Sequence, residues 1–169
     1  MAADFIVFSN EWLEGGGLRV RCALGKGGVL AAASKREGDA ATPAGVWPAR
    51  RVWYRPDKGP VPETGLPAIA LRPSDGWCDA PSHPDYNRWV SLPFPAGHER
   101  LWRADGVYDL VVELGYNDDP PVPGRGSAIF LHLARDGYLP TEGCVALARD
   151  DLRKVLKQLG GGSRIEIRS

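Results

Sequence analysis

The sequence predicts a mostly β fold, a β-rich α+β chain with one main helix near its carboxy terminus. Three observations carry that expectation. The 169 residues include 21 glycines and 15 prolines, and these interrupt most stretches that could otherwise reach helical length, which favours short strands joined by turns. Leu18, Val20, Cys22 and Leu24 alternate with Arg19, Arg21 and Ala23, the period of a half-buried strand. A helical period recurs convincingly in one place, where Leu152, Val155, Leu156 and Leu159 follow the i, i+3, i+4, i+7 pattern. The length fits a single domain, residues 1–169, long enough to bury a real core.

The elements follow in order. Residues 1–8, ending in Phe5-Ile6-Val7-Phe8, read as a first strand. The alternating strand from Leu18 to Leu24 puts Cys22 on its apolar face as a small core residue. Gly25-Lys26-Gly27-Gly28 then reads as a turn and Val29 to Ala32 as a returning strand, together a hairpin. Lys35 to Gly45 is polar, and its glycine spacing lacks the lysine-serine ending of a phosphate loop. Val46 to Tyr54 is a strand broken by Pro48, and Ile69 to Leu71 a short one before Pro73. Pro73 to His98 reads as a long loop dense in polar and aromatic residues. Its Asp75, Trp77, Cys78, Asp79, Tyr86, Asn87 and Arg88 suit the rim of a polar ligand site; alternatively the aromatics pack the loop onto the sheet. Tyr108 to Leu114 and Ser127 to Leu133 are buried strands, and in the second His132 shares a pleat face with Phe130 and Ala128. The helix spans Arg149 to Leu159, with Asp150 and Asp151 complementing its dipole at the start and Gly160-Gly161-Gly162 ending it. Ile165 to Ile167 is the last strand.

Composition removes several function classes. The chain has 21 basic and 21 acidic residues without a basic stripe, so electrostatic capture of nucleic acid or an anionic membrane has no support. No apolar run approaches the ~20 residues of a membrane span, and no membrane insertion is expected. The three cysteines form no C-x-x-C pair, which fits reduced thiols better than a disulfide framework. The scattered histidines and cysteines have no ligand spacing, and neither a metal nor another cofactor is expected. The amino terminus lacks a basic segment and a long apolar segment, so the expected compartment is the cytoplasm, or the periplasm if a leader has been removed.

Reactive chemistry gathers at Gly143-Cys144, twelve residues beyond His132. A free thiol titrates near ~8.5 and needs a partner to hold it as thiolate; His132 is the best candidate. Gly143 lets a substrate carbonyl approach, and the N–H groups around Gly143 and Cys144 suit an oxyanion site. The group that orients His132 is open among a backbone carbonyl, Thr141 and a loop carboxylate. Read one at a time, Cys144 and His132 are more often core residues than functional ones; the pair is what raises a cysteine hydrolase or transferase beside that reading. His83 and His98 sit in loop-like segments and read as surface residues.

With those residues in place, the chain resembles the YkuD-like L,D-transpeptidase catalytic domain. The likeness rests on a histidine in a strand, here His132, followed after a loop by Ser/Thr-x-Gly-Cys and an apolar residue, here Thr141-Glu142-Gly143-Cys144-Val145. Ala41-Thr42-Pro43-Ala44-Gly45 resembles the family's upstream Thr-Pro segment, and the final helix and strand resemble its close. The resemblance implies a β-sandwich with the cysteine in a cleft, Cys144 as nucleophile, His132 as base, and Thr141 and Gly143 shaping the thiol and oxyanion site. It implies peptidoglycan stem peptides or muropeptides as substrates, cleaved at an L,D bond before terminal D-alanine, and an acyl-enzyme passed to an amine or to water. Many members carry histidine where Glu142 stands and arginine or asparagine where Ala146 stands, so substrate recognition is expected to differ here.

Glu142, Trp77, Asp79, Tyr86, Asn87 and Arg88 are the expected stem-peptide contacts. Without a visible leader, the expected outcome is L,D-carboxypeptidase trimming of tetrapeptide to tripeptide, with cross-linking or D-amino acid exchange as the alternative. A murein-peptide binding domain without turnover, and an unrelated small-ligand β-domain with a buried thiol, are the other classes. The sequence sets no oligomeric state.

Overall fold

The structure, a computed structural model, describes residues 2–169. Its strands are β1 (Phe5–Phe8), β2 (Trp12–Gly15), β3 (Leu18–Ala23), β4 (Val29–Ala31), β5 (Thr42–Tyr54), β6 (Ala68–Ala70), β7 (Asp75–Cys78), β8 (Trp89–Ser91), β9 (His98–Arg100), β10 (Leu110–Leu114), β11 (Phe130–Leu133), β12 (Val145–Leu147) and β13 (Arg164–Arg168), with one α-helix, α1 (Arg149–Leu156). The mostly β expectation is met.

The main sheet runs β10-β11-β12-β3-β2-β1-β13-β5-β4. Two strands serve two neighbours along their length. β3 pairs with β2 through Leu18–Arg21 and with β12 through Cys22 and Ala23. β5 pairs with β13 through Gly45–Pro48 and with β10 from Ala49 onward. The sheet therefore folds over on itself as two faces sharing strands at both margins, the corner-strand solution of a closed sandwich. Inside lie Phe5, Leu13, Leu131, Leu133, Val145, Leu147 and Ile165, joined by Leu152, Val155 and Leu156 of α1.

Several boundaries differ from expectation for local reasons. The first strand begins at Phe5, and Met1 lies outside the described residues. The hairpin does not join β3 to β4. β3 returns against β2 across Gly16-Gly17, whose φ values of 54° and 77° suit glycine in a tight two-residue turn, while β4 lies parallel to β5. Pro48 does not break its strand; it sits where β5 changes partner, and its carbonyl accepts the Gly115 N–H at 2.8 Å. The two buried strands start later than predicted, at Leu110 and Phe130; Ala128 ahead of the second takes a φ of 55° that no strand residue adopts. α1 stops at Leu156, although Leu159 remains buried.

The stretch from Pro73 to His98 is the largest correction. It is not a plain loop, because β8-β7-β9 form a separate three-stranded antiparallel sheet. This sheet covers the outer side of β10 and β11 through a second apolar cluster containing Trp53, Trp77, Tyr108, Val111, Phe130 and Cys144. The Trp77 ring meets Phe130 edge-on at 5.1 Å. β11 thus has both faces buried: Leu131 and Leu133 point to the main core, Phe130 and His132 to the second cluster.

Leu152 is fully buried in the main core with Leu131 and Leu133. Leu152→Ala is expected to destabilise the fold by about 2–5 kcal/mol, read as a lower urea midpoint; a midpoint within error of the parent would contradict this packing.

Candidate active site

β11 and β12 run parallel, with Leu131 opposite Val145, His132 opposite Ala146 and Leu133 opposite Leu147. Cys144, one residue before β12, is thereby held beside Phe130, whose N–H reaches Sγ at 3.4 Å. Both Cys144 and His132 line one polar cleft of about 270 Å³, with Lys35, Glu37, Asp79, Glu99, Arg103, Arg135, Thr141 and Glu142 on its walls. A larger cleft of about 580 Å³ lies between the 55–63 loop and α1. Neither a cysteine nor a histidine lines it, so the reactive chemistry belongs to the smaller one.

The loop between β11 and β12 explains the residues of the Thr-x-Gly-Cys sequence. Thr141 is pinned to the segment after β3, its N–H donating to Leu24 O and its carbonyl accepting from Lys26 N–H, each at 2.9 Å. The Thr141 hydroxyl donates to Cys144 O at 2.6 Å and accepts from Gly143 N–H at 3.1 Å. Thr141 therefore shapes the turn that presents the thiol. Gly143 has a φ of 137°, and a Cβ there would lie 2.9 Å from Ala41 O, so both backbone and space require glycine. Its N–H, one of the donors expected for an oxyanion, is instead bonded to the Thr141 hydroxyl.

His132 lies in a row crossing the sheet: Val111 and Ala146 flank it on the neighbouring strands, and Ala23 follows Ala146. Tyr108 closes over the imidazole with ring centres 5.3 Å apart. These apolar neighbours strip water from the ring, and burial pulls its pKa down to about 4. Of the orienting groups open in the sequence, a backbone carbonyl is the one found. His132 Nδ1 is 2.9 Å from Leu133 O, and since a carbonyl only accepts, Nδ1 carries the proton and Nε2 is free to take another.

Burial likewise pushes the Cys144 thiol up to about 12. Sγ donates to Ala128 O at 3.1 Å. Among the described residues the hydrogen bonds of Sγ run to Ala128 and from Phe130 instead of to His132, and burial favours the neutral form of both thiol and imidazole. Such a pair forms thiolate and imidazolium only by proton transfer during reaction. Cys144 is 7% exposed, buried as the bland reading of a core thiol expected, yet it lines the cleft. All three cysteines are free.

The other expected contacts divide. Asp79 and Glu142 line the cleft; Glu142 is exposed and paired with Lys26 at 2.6 Å. Burial, then the Glu37 charge, raises the Asp79 pKa. Trp77 and Asn87 are buried and bonded to each other, Nε1 to Oδ1 at 3.0 Å. Tyr86 is buried, its hydroxyl donating to Glu37 at 2.7 Å. Arg88 is exposed, on a separate surface hollow with Arg50 and Asp118. The structure brings none of these last four to the wall of the Cys144 cleft. Residues the sequence did not single out take their place. Glu99 accepts from the Tyr108 hydroxyl at 3.1 Å, its carboxyl raised by burial. Lys35 is almost wholly buried against Asp39 at 2.6 Å. Glu99 and Arg103 have no local motif; only the three-stranded sheet carries them to the cleft.

The depressed histidine makes a pH prediction. Between pH 6.5 and about 4 the unfolded chain protonates His132 while the folded chain does not, so stability falls as pH falls through that window. His132 should account for about 3 kcal/mol of that loss. Urea midpoints across this range should decline less steeply in His132→Gln; parallel slopes would refute the depressed value.

The YkuD family profile, described as the L,D-transpeptidase catalytic domain, matches residues 6–167. No curated protein matches the chain. Among solved structures, the crystal structure of L,D-transpeptidase 1 from Mycobacterium tuberculosis is similar at 15% identity and a TM-score of 0.43, over 99% of this chain and 60% of that one. The chain thus spans 60% of the length of that relative. The family profile takes in nearly every strand, α1 and the whole cleft, and the protein belongs to the YkuD family of L,D-transpeptidase catalytic domains.

Proposed function

We propose that this protein, as one catalytic domain, cleaves the L,D bond of peptidoglycan stem peptides through an acyl-enzyme on Cys144. One observation carries the reading: a thiol and a neutral imidazole with a free Nε2 line the same polar cleft. Sγ attacks the carbonyl carbon of the scissile bond while its proton passes to His132 Nε2. The tetrahedral adduct collapses, the C–N bond breaks, and His132 returns the proton to the leaving D-alanine amine. A thioester remains on Cys144. Water then attacks it with His132 as base, giving the shortened peptide and the free thiol.

Hydrolysis is the favoured fate, tetrapeptide to tripeptide. The cleft of about 270 Å³ is at the lower edge of ligand-site sizes, which suits one peptide end and a water better than two stem peptides side by side. Asp79 and Glu142 on its walls are the proposed peptide contacts. Transfer to an amine uses the same residues and is the outcome to be distinguished.

Incubation with a murein tetrapeptide, with and without an added D-amino acid, followed by mass, separates the readings. Loss of D-alanine alone is expected; exchange would assign a transferase, and unchanged peptide would leave a binding domain. Cys144→Ser and His132→Ala should each reduce acylation by about 10³-fold or more, and the double variant should lose little beyond either. With His132 near 4 and Cys144 near 12, kcat/KM should stay flat through neutral pH, its acid limb well below 6.5. An acid limb near 6.5 would assign the base to a solvent-exposed group.

A further inference from the structure

The acceptor of the Cys144 proton is itself held in an unusual place. Ala128 has a φ of 55°, a left-handed backbone that is unfavourable for a residue with a side chain. Such a conformation persists only where its surroundings impose it. Here the Ala128 N–H donates to Asn87 Oδ1 at 3.0 Å, and the Ala128 carbonyl accepts the thiol proton at 3.1 Å. The amide of Asn87 is fully used. Oδ1 also accepts from Trp77 Nε1 at 3.0 Å, while Nδ2 donates to Tyr116 O at 3.0 Å and Asn117 O at 2.7 Å. Asn87 is itself left-handed, with a φ of 56°, and is 4% exposed.

The preceding residues are tied from the other side. Ser127 Oγ and Tyr86 Oη both donate to Glu37 Oε1, at 2.5 and 2.7 Å, and Tyr86 Oη accepts the Gly126 N–H at 2.9 Å. The peptide unit that meets the thiol thus has its neighbours anchored, and Asn87 is the group that bonds Ala128 directly. Of its four bonds, two go to the carbonyls of Tyr116 and Asn117 and one comes from the Trp77 indole, so the fourth, to Ala128, is the one that reaches the residue bonded to the thiol.

We propose that Asn87 is a positioning residue for the nucleophile: by clamping Ala128 it aims that carbonyl at Sγ–H and so sets the resting pose and protonation of Cys144. Asn87 lines no part of the Cys144 cleft; it acts through one residue, bonding the Ala128 N–H on one side of the Cα whose carbonyl, on the other side, meets the thiol. The inference deepens the proposed role of Cys144 and rests on it for its meaning in turnover, but its test needs no murein peptide. A carbonyl that accepts from S–H stabilises the protonated form, so releasing it lowers the pH at which the thiol becomes reactive.

The test is iodoacetamide labelling of Cys144 against pH in the full chain, followed by mass of the Cys144 peptide so that Cys22 and Cys78 are not counted. Asn87→Gly keeps a residue at ease at φ 56° and removes the side chain with its bond to Ala128 and its three others. Its labelling midpoint should move to lower pH by half a unit or more, about a threefold change in the ionisation constant. Trp77→Phe removes the neighbouring bond to the same Oδ1 and leaves the one to Ala128, so its midpoint should stay with the parent whatever it does to stability. If Asn87→Gly does not fold, Ala128→Gly decides the matter, because it loosens the same carbonyl where glycine is the easier residue; the same downward shift is expected. An unmoved midpoint in the folded variant, or an equal shift in Trp77→Phe, overturns the proposal and leaves Asn87 a structural amide. Failure to cleave stem peptides, with the labelling shift present, would count against the murein reading alone.

Discussion

The parallel register of β11 on β12 is the constraint on which the site depends. Leu131 opposite Val145 fixes Cys144 beside Phe130 and gives His132 the same outward face. A slip of one residue would turn His132 into the main core and bring Leu131 or Leu133 into the cleft, since side chains alternate along a strand. Parallel neighbours require a crossover, and here the connection is a loop instead of a helix. Its stiffness comes from elsewhere: Thr141 bonds to the chain after β3, and Ala41 just before β5 walls off Gly143. The two margin strands of the sandwich thus hold the turn that carries the nucleophile.

Burial then decides the electrostatics. Val111, Ala146, Ala23 and Tyr108 leave the imidazole little water, and its Nδ1 is bonded to the carbonyl of its own neighbour, Leu133. A carboxylate at Ala146 would favour imidazolium; alanine favours the neutral ring. The same desolvation keeps Cys144 protonated. Burial thus disfavours charge on both groups, and a resting ion pair there would carry the several-kcal/mol desolvation cost of buried ions.

Much of this was legible in the sequence, and the remainder failed for identifiable reasons. The period-2 run at Leu18–Leu24, the apolar runs around Val111 and Leu131, and the helical period from Leu152 each depend on local burial, which composition reveals. Cys144 and His132 were found because their residue types carry chemistry. What escaped was non-local. β3 pairs with β2 instead of β4 because Gly16-Gly17 makes the tighter turn, and β5 survives Pro48 because it changes partners there. The dense aromatic segment reads either as a ligand rim or as packing against the sheet, and burial of Trp77, Tyr86 and Asn87 decides for packing. Buried Trp and Asn look the same in sequence whether a ligand or the protein satisfies them. Ala128 offers no sign at all: nothing in an alanine announces a left-handed backbone.

The bond from Sγ to Ala128 O has a consequence for the life of the protein between encounters with substrate. Peroxide and other oxidants react with thiolates, and the ladder from sulfenic to sulfonic acid begins there. A sulfur whose hydrogen is committed to a carbonyl, at the bottom of a cleft and 7% exposed, presents little for an oxidant to attack. On the proposed chemistry, the alanine carbonyl thus guards the sulfur that turnover needs, keeping it protonated and covered between encounters with substrate.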